Sequence, residues 1–150
     1  MKKSLTAVAA LLMVSGSALA ATPASCVKVD QQQIEALFDK WNAALKTGNA
    51  KQVSDLYLED AVLLPTVSNR VRLTEAERID YFAHFMANKP SGKIDSRTIR
   101  IGCNKAVDTG TYTFTYADKP AVSARYTFTY AWTGSEWKIS THHSSAMPEG

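Results

Sequence analysis

The chain has 150 residues, and its 17 Lys/Arg nearly balance its 14 Asp/Glu. It has no basic run and no interleaved aromatic stripe, so a nucleic-acid surface is not expected. Its 45% hydrophobic residues suit one packed domain, and its longest uncharged apolar run, residues 5–14, is too short to cross a bilayer.

That run follows Lys2 and Lys3 and leads to Ala18-Leu19-Ala20, the small-x-small pattern read by signal peptidase. Residues 1–20 are therefore expected to be a cleaved secretory signal, residues 21–29 an arm, and residues 30–150 a single domain. Cleavage leaves 130 residues and lowers the net charge from +3 to +1, because Lys2 and Lys3 leave with the signal. The product is expected in the periplasm or secreted, with no membrane association after cleavage. Its two cysteines, Cys26 and Cys103, favour a disulfide from the arm to a strand in an oxidising compartment. No C-x-x-C spacing suggests a redox pair.

Asp30 is a plausible cap for a helix carrying Ile34, Leu37, Phe38, Trp41, Ala44 and Leu45 at helical spacing. Gly48 stops it, and Asn49 can cap a short second helix with Val53, Leu56 and Tyr57. Residues 61–65 read as a brief buried strand ended by Pro65. Thr74 and Glu77 fit a capping box, opening a third helix with Ile79, Phe82, Phe85 and Met86 on one face. After Gly92 the apolar period drops to two. Arg97, Ile99, Ile101 and Cys103 alternate with polar residues, as do Tyr112, Phe114 and Tyr116, then Tyr126, Phe128, Tyr130 and Trp132, then Trp137, Ile139, Thr141 and His143. Helices followed by an antiparallel meander predict an α+β fold with a curved sheet wrapped around the N-terminal helices.

A two-residue turn at Gly134-Ser135 would pair Trp132 with Trp137, Tyr130 with Ile139, Phe128 with Thr141 and Tyr126 with His143. On that register His143 points inward beside Tyr126, while His142 points outward with Arg125 and Ser144. His143 is then a ligand contact, a structural histidine or a general base. Adjacent strand histidines diverge, so His142 and His143 are not expected to share a metal, and His84 has no ligand spacing around it. Trp41 and Tyr57 either pack in the core or line a cavity. Arg97 either projects inward to an anion or snorkels to the rim.

Trp41-Asn42-Ala43-Ala44-Leu45, Gly48-Asn49, Leu56-Tyr57 and Asp60-Ala61-Val62-Leu63-Leu64-Pro65 resemble the nuclear-transport-factor-2-like superfamily. Arg125-Tyr126-Thr127-Phe128, the stretch from Gly134 to Trp137, and His142-His143-Ser144-Ser145-Ala146-Met147-Pro148 are similar to bacterial proteins grouped with the calcium/calmodulin-dependent protein kinase II association (hub) domain. The resemblance implies a cone-shaped (cystatin-like) sheet, a pocket at its open end, and homodimers or larger homo-oligomers built through the sheet. It does not bring kinase activity. The hub pocket's arginines fall near Phe114, Phe128 and Ser144. The tyrosine and aspartate of ketosteroid isomerase members fall on Trp41 and Leu64, and leucine takes no proton.

The expected function is thus an exported oligomeric domain binding a small molecule in an aromatic-lined pocket, without a cofactor or a metal. Trp41, Tyr57, Arg97, Tyr112, Tyr126, Phe128 and His143 are the candidate ligand contacts, and Arg125 and His142 the candidate interface. The alternative is a SnoaL-like lyase or isomerase acting on a small carbonyl compound, with His143 as base and Tyr126 as its partner.

Overall fold

The computed structural model describes residues 25–148. The expected signal segment and the first residues of the arm lie outside the described residues. Asp30 starts α1 (Gln31–Lys46) with a capping box: its carboxylate accepts from the Gln33 backbone N–H at 2.8 Å, and the Gln33 side chain accepts from the Asp30 N–H at 3.0 Å. Ile34, Phe38, Trp41 and Leu45 form the buried stripe.

Asn49 caps α2 (Ala50–Ser54), which is shorter than its apolar pattern suggests. Leu56 and Tyr57 leave the helix, and Tyr57 opens β1 (Tyr57–Leu64). Pairing with the last strand outweighs the weak local preference of so short a helix. Thr74 and Glu77 form the expected box on α3 (Glu75–Met86). Its buried face holds Arg78 with Tyr81, Phe82, Phe85 and Met86, whereas Ile79 is only half-buried. Arg78 turns inward because β1 supplies acceptors. Its guanidinium donates to the carbonyls of Leu58, Glu59 and Ala61 at 3.0, 3.1 and 2.9 Å, in the stretch where the register of β1 breaks.

Four long strands follow: β2 (Ser91–Gly102), β3 (Lys105–Thr115), β4 (Val122–Trp132) and β5 (Trp137–Ala146). The sheet order is β1-β5-β4-β3-β2; β1 runs parallel to β5 and the other pairs are antiparallel. The α+β architecture with a curved sheet against the helices is therefore as expected. Its inner face contributes Tyr112, Phe114, Tyr126, Phe128 and Tyr130 to a core completed by α1 and α3. Among the described residues, no helix is long and apolar enough to cross a membrane.

Cys26 and Cys103 are bonded, with Cα atoms 4.8 Å apart across 77 positions of sequence. Cys103 sits in the tight turn between β2 and β3 rather than within a strand. Its neighbour Asn104, at φ 56°, adds two ties to the arm, accepting from the Val27 N–H at 2.8 Å and donating to the Ser25 carbonyl at 3.0 Å. Replacing both cysteines by serine should lower unfolding stability by about 2–5 kcal/mol, read as a fall in Tm without reductant.

A register shift between Ile94 and Ser96 presses β2 onto Gly110 of β3. A Cβ at Gly110 would lie 2.0 Å from the Ser96 carbonyl oxygen, whereas one at Gly102 would meet nothing nearer than 3.8 Å. Gly110→Ala should cost about 1–3 kcal/mol by urea denaturation, with Gly102→Ala as the mild control.

Candidate functional site

The last hairpin starts in the expected register, with Trp132 opposite Trp137 and Tyr130 opposite Ile139. Ser140 is then an extra residue: Thr129 pairs with Thr141, Phe128 with His142, Thr127 with His143 and Tyr126 with Ser144. The Ser140 hydroxyl holds the bulge by donating to the Thr129 carbonyl at 3.2 Å and meeting the Thr129 hydroxyl at 2.7 Å. One added residue exchanges the two faces of everything downstream. The expected orientations are therefore corrected: His142 and Ser144 are buried on the inner face, and His143 is exposed on the outer face beside Arg125 and Thr127. His143 and Tyr126 do not meet inside the cone.

His142 sits among aromatic rings. It stacks on Phe128 with centroids 3.9 Å apart and meets the Trp41 ring nearly edge-on at 5.2 Å. Trp41 Nε1 donates to the Tyr57 hydroxyl at 3.1 Å, and that hydroxyl lies 2.9 Å from His142 Nδ1. Indole nitrogen only donates, so the Tyr57 oxygen accepts from it, and among the described residues His142 Nδ1 is the one acceptor in reach of the Tyr57 proton. The His142 tautomer follows: Nδ1 is the acceptor and Nε2 carries the proton. Nε2 is buried and has no partner. Burial, and then the neighbouring His143, lower the His142 pKa to about 3, so the ring is neutral.

His142 lines a small chamber of about 10 Å³ together with Trp41, Thr66, Tyr112 and Ser144, closed by Tyr81, Phe82, Phe85 and Phe114. Tyr57 lies outside the chamber lining, and Nε2 is the imidazole nitrogen left without a partner. On the same lining the Tyr112 hydroxyl donates to Ser144 Oγ at 2.5 Å, and Ser144 Oγ is hydrogen-bonded to the Thr66 hydroxyl. Tyr81 and Phe85, stacked with centroids 5.7 Å apart, also line a wider adjoining cleft of about 390 Å³.

A second polar cluster lies deeper against α1. Asp108, fully buried, accepts from the Tyr126 hydroxyl at 2.8 Å and from Arg97 Nε at 3.2 Å, and Arg97 also reaches Glu35 at 3.7 Å. Burial raises the Asp108 pKa, while Tyr126 and Arg97 pull it back down. Arg97 thus faces inward, as one of its two expected orientations had it, but its guanidinium meets protein carboxylates.

Of the candidate contacts, Trp41 and Tyr112 line the chamber, and Tyr57, Tyr126 and Phe128 are buried behind them. Asp108, Thr66, Tyr81 and Arg78 were not singled out from the sequence. Extending the Tyr112/Phe114 alternation two steps back through Gly110 lands on Asp108, so that residue had a signal. Among the described residues, no three His, Cys, Asp or Glu side chains are grouped to hold a metal ion.

Residues 30–148 match the calcium/calmodulin dependent protein kinase II association domain. The chain belongs to that family. It is similar to a solved structure from Xanthomonas campestris assigned to the same association domain, at 50% identity over 87% of this chain and 95% of that one, with a TM-score of 0.79. A Streptomyces avermitilis protein assigned as a dehydratase of the NTF2-like family aligns at 17% identity, covering 79% and 96% of the two chains, with a TM-score of 0.70. An NTF2-like protein with a cystatin-like fold from Novosphingobium aromaticivorans aligns at 15% identity, covering 81% and 84%, with a TM-score of 0.66. The last two show the fold alone. No curated protein sequence matches the chain.

The buried neutral His142 ties the stability of this association domain to pH. Its folded pKa of about 3 lies below the 6.5 of an unperturbed histidine, so the unfolded chain takes up the proton first. This contribution is fully present above pH 6.5 and is lost progressively as pH falls toward 3. Denaturant unfolding between pH 6 and 4.5 should show a slope that His142→Gln reduces by up to about 1.4 kcal/mol per pH unit.

Proposed function

We propose that this association domain is an exported homo-oligomer whose cone holds a small molecule without turning it over. The observation that carries the reading is the lining of the chamber: aromatic rings with Leu63 and Pro65, hydroxyl side chains and the neutral His142, with no carboxylate among them. Such a wall recognises shape and hydrogen-bonding pattern, and it has no group able to take a proton from a bound substrate. The lyase or isomerase alternative has its named base, His143, on the opposite face of the sheet from the Tyr126 side chain.

Membership of an association-domain family points to self-association, and the outer face of the sheet is the surface we assign to it. That face is a shallow concavity of about 560 Å³ lined by threonines with Arg125, His143 and Ser145. Arg125 and His143, rather than Arg125 and His142, are the exposed pair on it. Export rests on residues 1–20 and agrees with the bonded cysteines.

Native mass spectrometry of the protein recovered from the periplasm without reduction tests both parts. The expected result is an oligomer carrying a reproducible extra mass that is lost on denaturation, and a shift to monomer in Arg125→Glu/His143→Glu. A wild-type monomer without added mass would remove both.

A further inference from the structure

The hydroxyl protons around the chamber outnumber the hydrogen bonds made among them. Tyr112, Ser144 and Thr66 bring three hydroxyl protons but make two hydrogen bonds among themselves. The Tyr112 proton goes to Ser144, and a single proton serves the Ser144–Thr66 contact. Whichever residue supplies it, the other keeps an O–H to give, and both line the chamber. On the same lining, the tautomer set by Trp41 and Tyr57 leaves His142 Nε2–H without an acceptor, on a residue only 3% exposed. Two unspent donors therefore belong to side chains that line one space, and the remaining wall is mostly aromatic. A buried donor without an acceptor is costly, so the site favours an entering group that accepts twice.

Size and charge narrow that group further. The chamber, at about 10 Å³, accommodates roughly one water-sized sphere, hence a single oxygen atom. A carboxylate would need a countercharge, and none lines the space. Arg78 is committed to the carbonyls of β1, and Arg72 is paired with Asp80 at 2.7 Å. Tyr81 and Phe85 separate the chamber from the 390 Å³ cleft, so displacing their stacked rings joins the two into one site for an oxygen and an apolar body.

We propose that the chamber receives the carbonyl oxygen of an uncharged, largely apolar small molecule, held between His142 Nε2–H and the free hydroxyl proton of the Ser144–Thr66 pair, with the rest of the ligand against Tyr81 and Phe85. This rests on the reading that the cone binds a small molecule, and it names the chemistry recognised. The carbonyl is held and not activated for proton removal, because no base shares the chamber with it.

The test uses the purified full-length domain and three probes of similar shape: acetophenone, ethylbenzene and benzoate. Long-range ¹H–¹⁵N NMR of the unliganded protein should find the His142 proton on Nε2, and acetophenone should shift that signal. Acetophenone should bind about tenfold more tightly than ethylbenzene, the worth of roughly one net hydrogen bond, and more tightly than benzoate. His142→Phe should lower the acetophenone-to-ethylbenzene ratio several-fold while ethylbenzene still binds, the Ser144–Thr66 hydroxyl remaining as the second donor. Should that variant not fold, the wild-type ratio and the tautomer decide alone. A proton on Nδ1, or equal affinity for acetophenone and ethylbenzene, overturns the carbonyl assignment while the binding pocket stands. Preference for benzoate replaces the carbonyl with an anion. Binding of none of the three at millimolar concentration overturns the assignment and the pocket together.

Discussion

Ser140 is one residue more than the ladder between β4 and β5 can pair, and the way the sheet absorbs it governs the interior. Without the bulge, strict alternation from Trp137 would carry Thr141 and His143 inward and leave His142 and Ser144 in solvent. With it, an imidazole and a hydroxyl enter an otherwise aromatic cone, and the outer face receives the exposed His143. The bulge makes its own local bonds through the Ser140 and Thr129 hydroxyls, so its extra backbone residue does not rest on the core alone. The inward placement of His142 and Ser144 and the exposure of His143 on the outer face both depend on this local insertion.

A second demand follows from placing polar groups in a core. Each must be held by hydrogen-bonding neighbours. Trp41 and Tyr57 fix His142, Tyr112 and Thr66 hold Ser144, and Tyr126 with Arg97 holds Asp108. The tyrosines serve twice, as apolar bulk for the cone and as single-proton connectors between its polar members. Burial pushes the Tyr57 and Tyr112 pKa values up, so these connectors remain protonated donors.

The helices were legible because their signals are local. Asp30 with Gln33 and Thr74 with Glu77 are capping arrangements that act within one turn, and each starts a helix where the spacing predicts. The strands were legible from the alternation of their aromatic residues, and the first pairs of the last hairpin from Gly134-Ser135. Orientation beyond those pairs was not, because a bulge leaves almost no mark in composition: Lys138-Ile139-Ser140-Thr141 reads as ordinary strand. Arg78 was hidden for a different reason. Its partners are backbone carbonyls of β1, and carbonyls freed by an irregular register have no sequence signature. The buried aromatic residues Trp41, Tyr112, Tyr126 and Phe128 followed from periodicity, whereas Tyr57, expected on the second helix, is buried from β1; the partition between chamber wall and packing depends on which rings face each other in three dimensions.

The parallel placement of β1 against β5 has a consequence in time. Apart from one isolated bridge between Leu63 and Arg72, β1 finds its sheet partner only in the final strand. Local contacts can assemble α1, α2 and α3 early, and β2, β3 and β4 can pair as neighbours. Tyr57 and His142, however, are 85 positions apart, so the links from Trp41 to the imidazole cannot close until the last residues of the domain have arrived. Until then the edges of β1 and β4 are both open to other chains. The C-terminal strand therefore acts as the latch of the domain, since both the sheet and the chamber are complete only once it is in place.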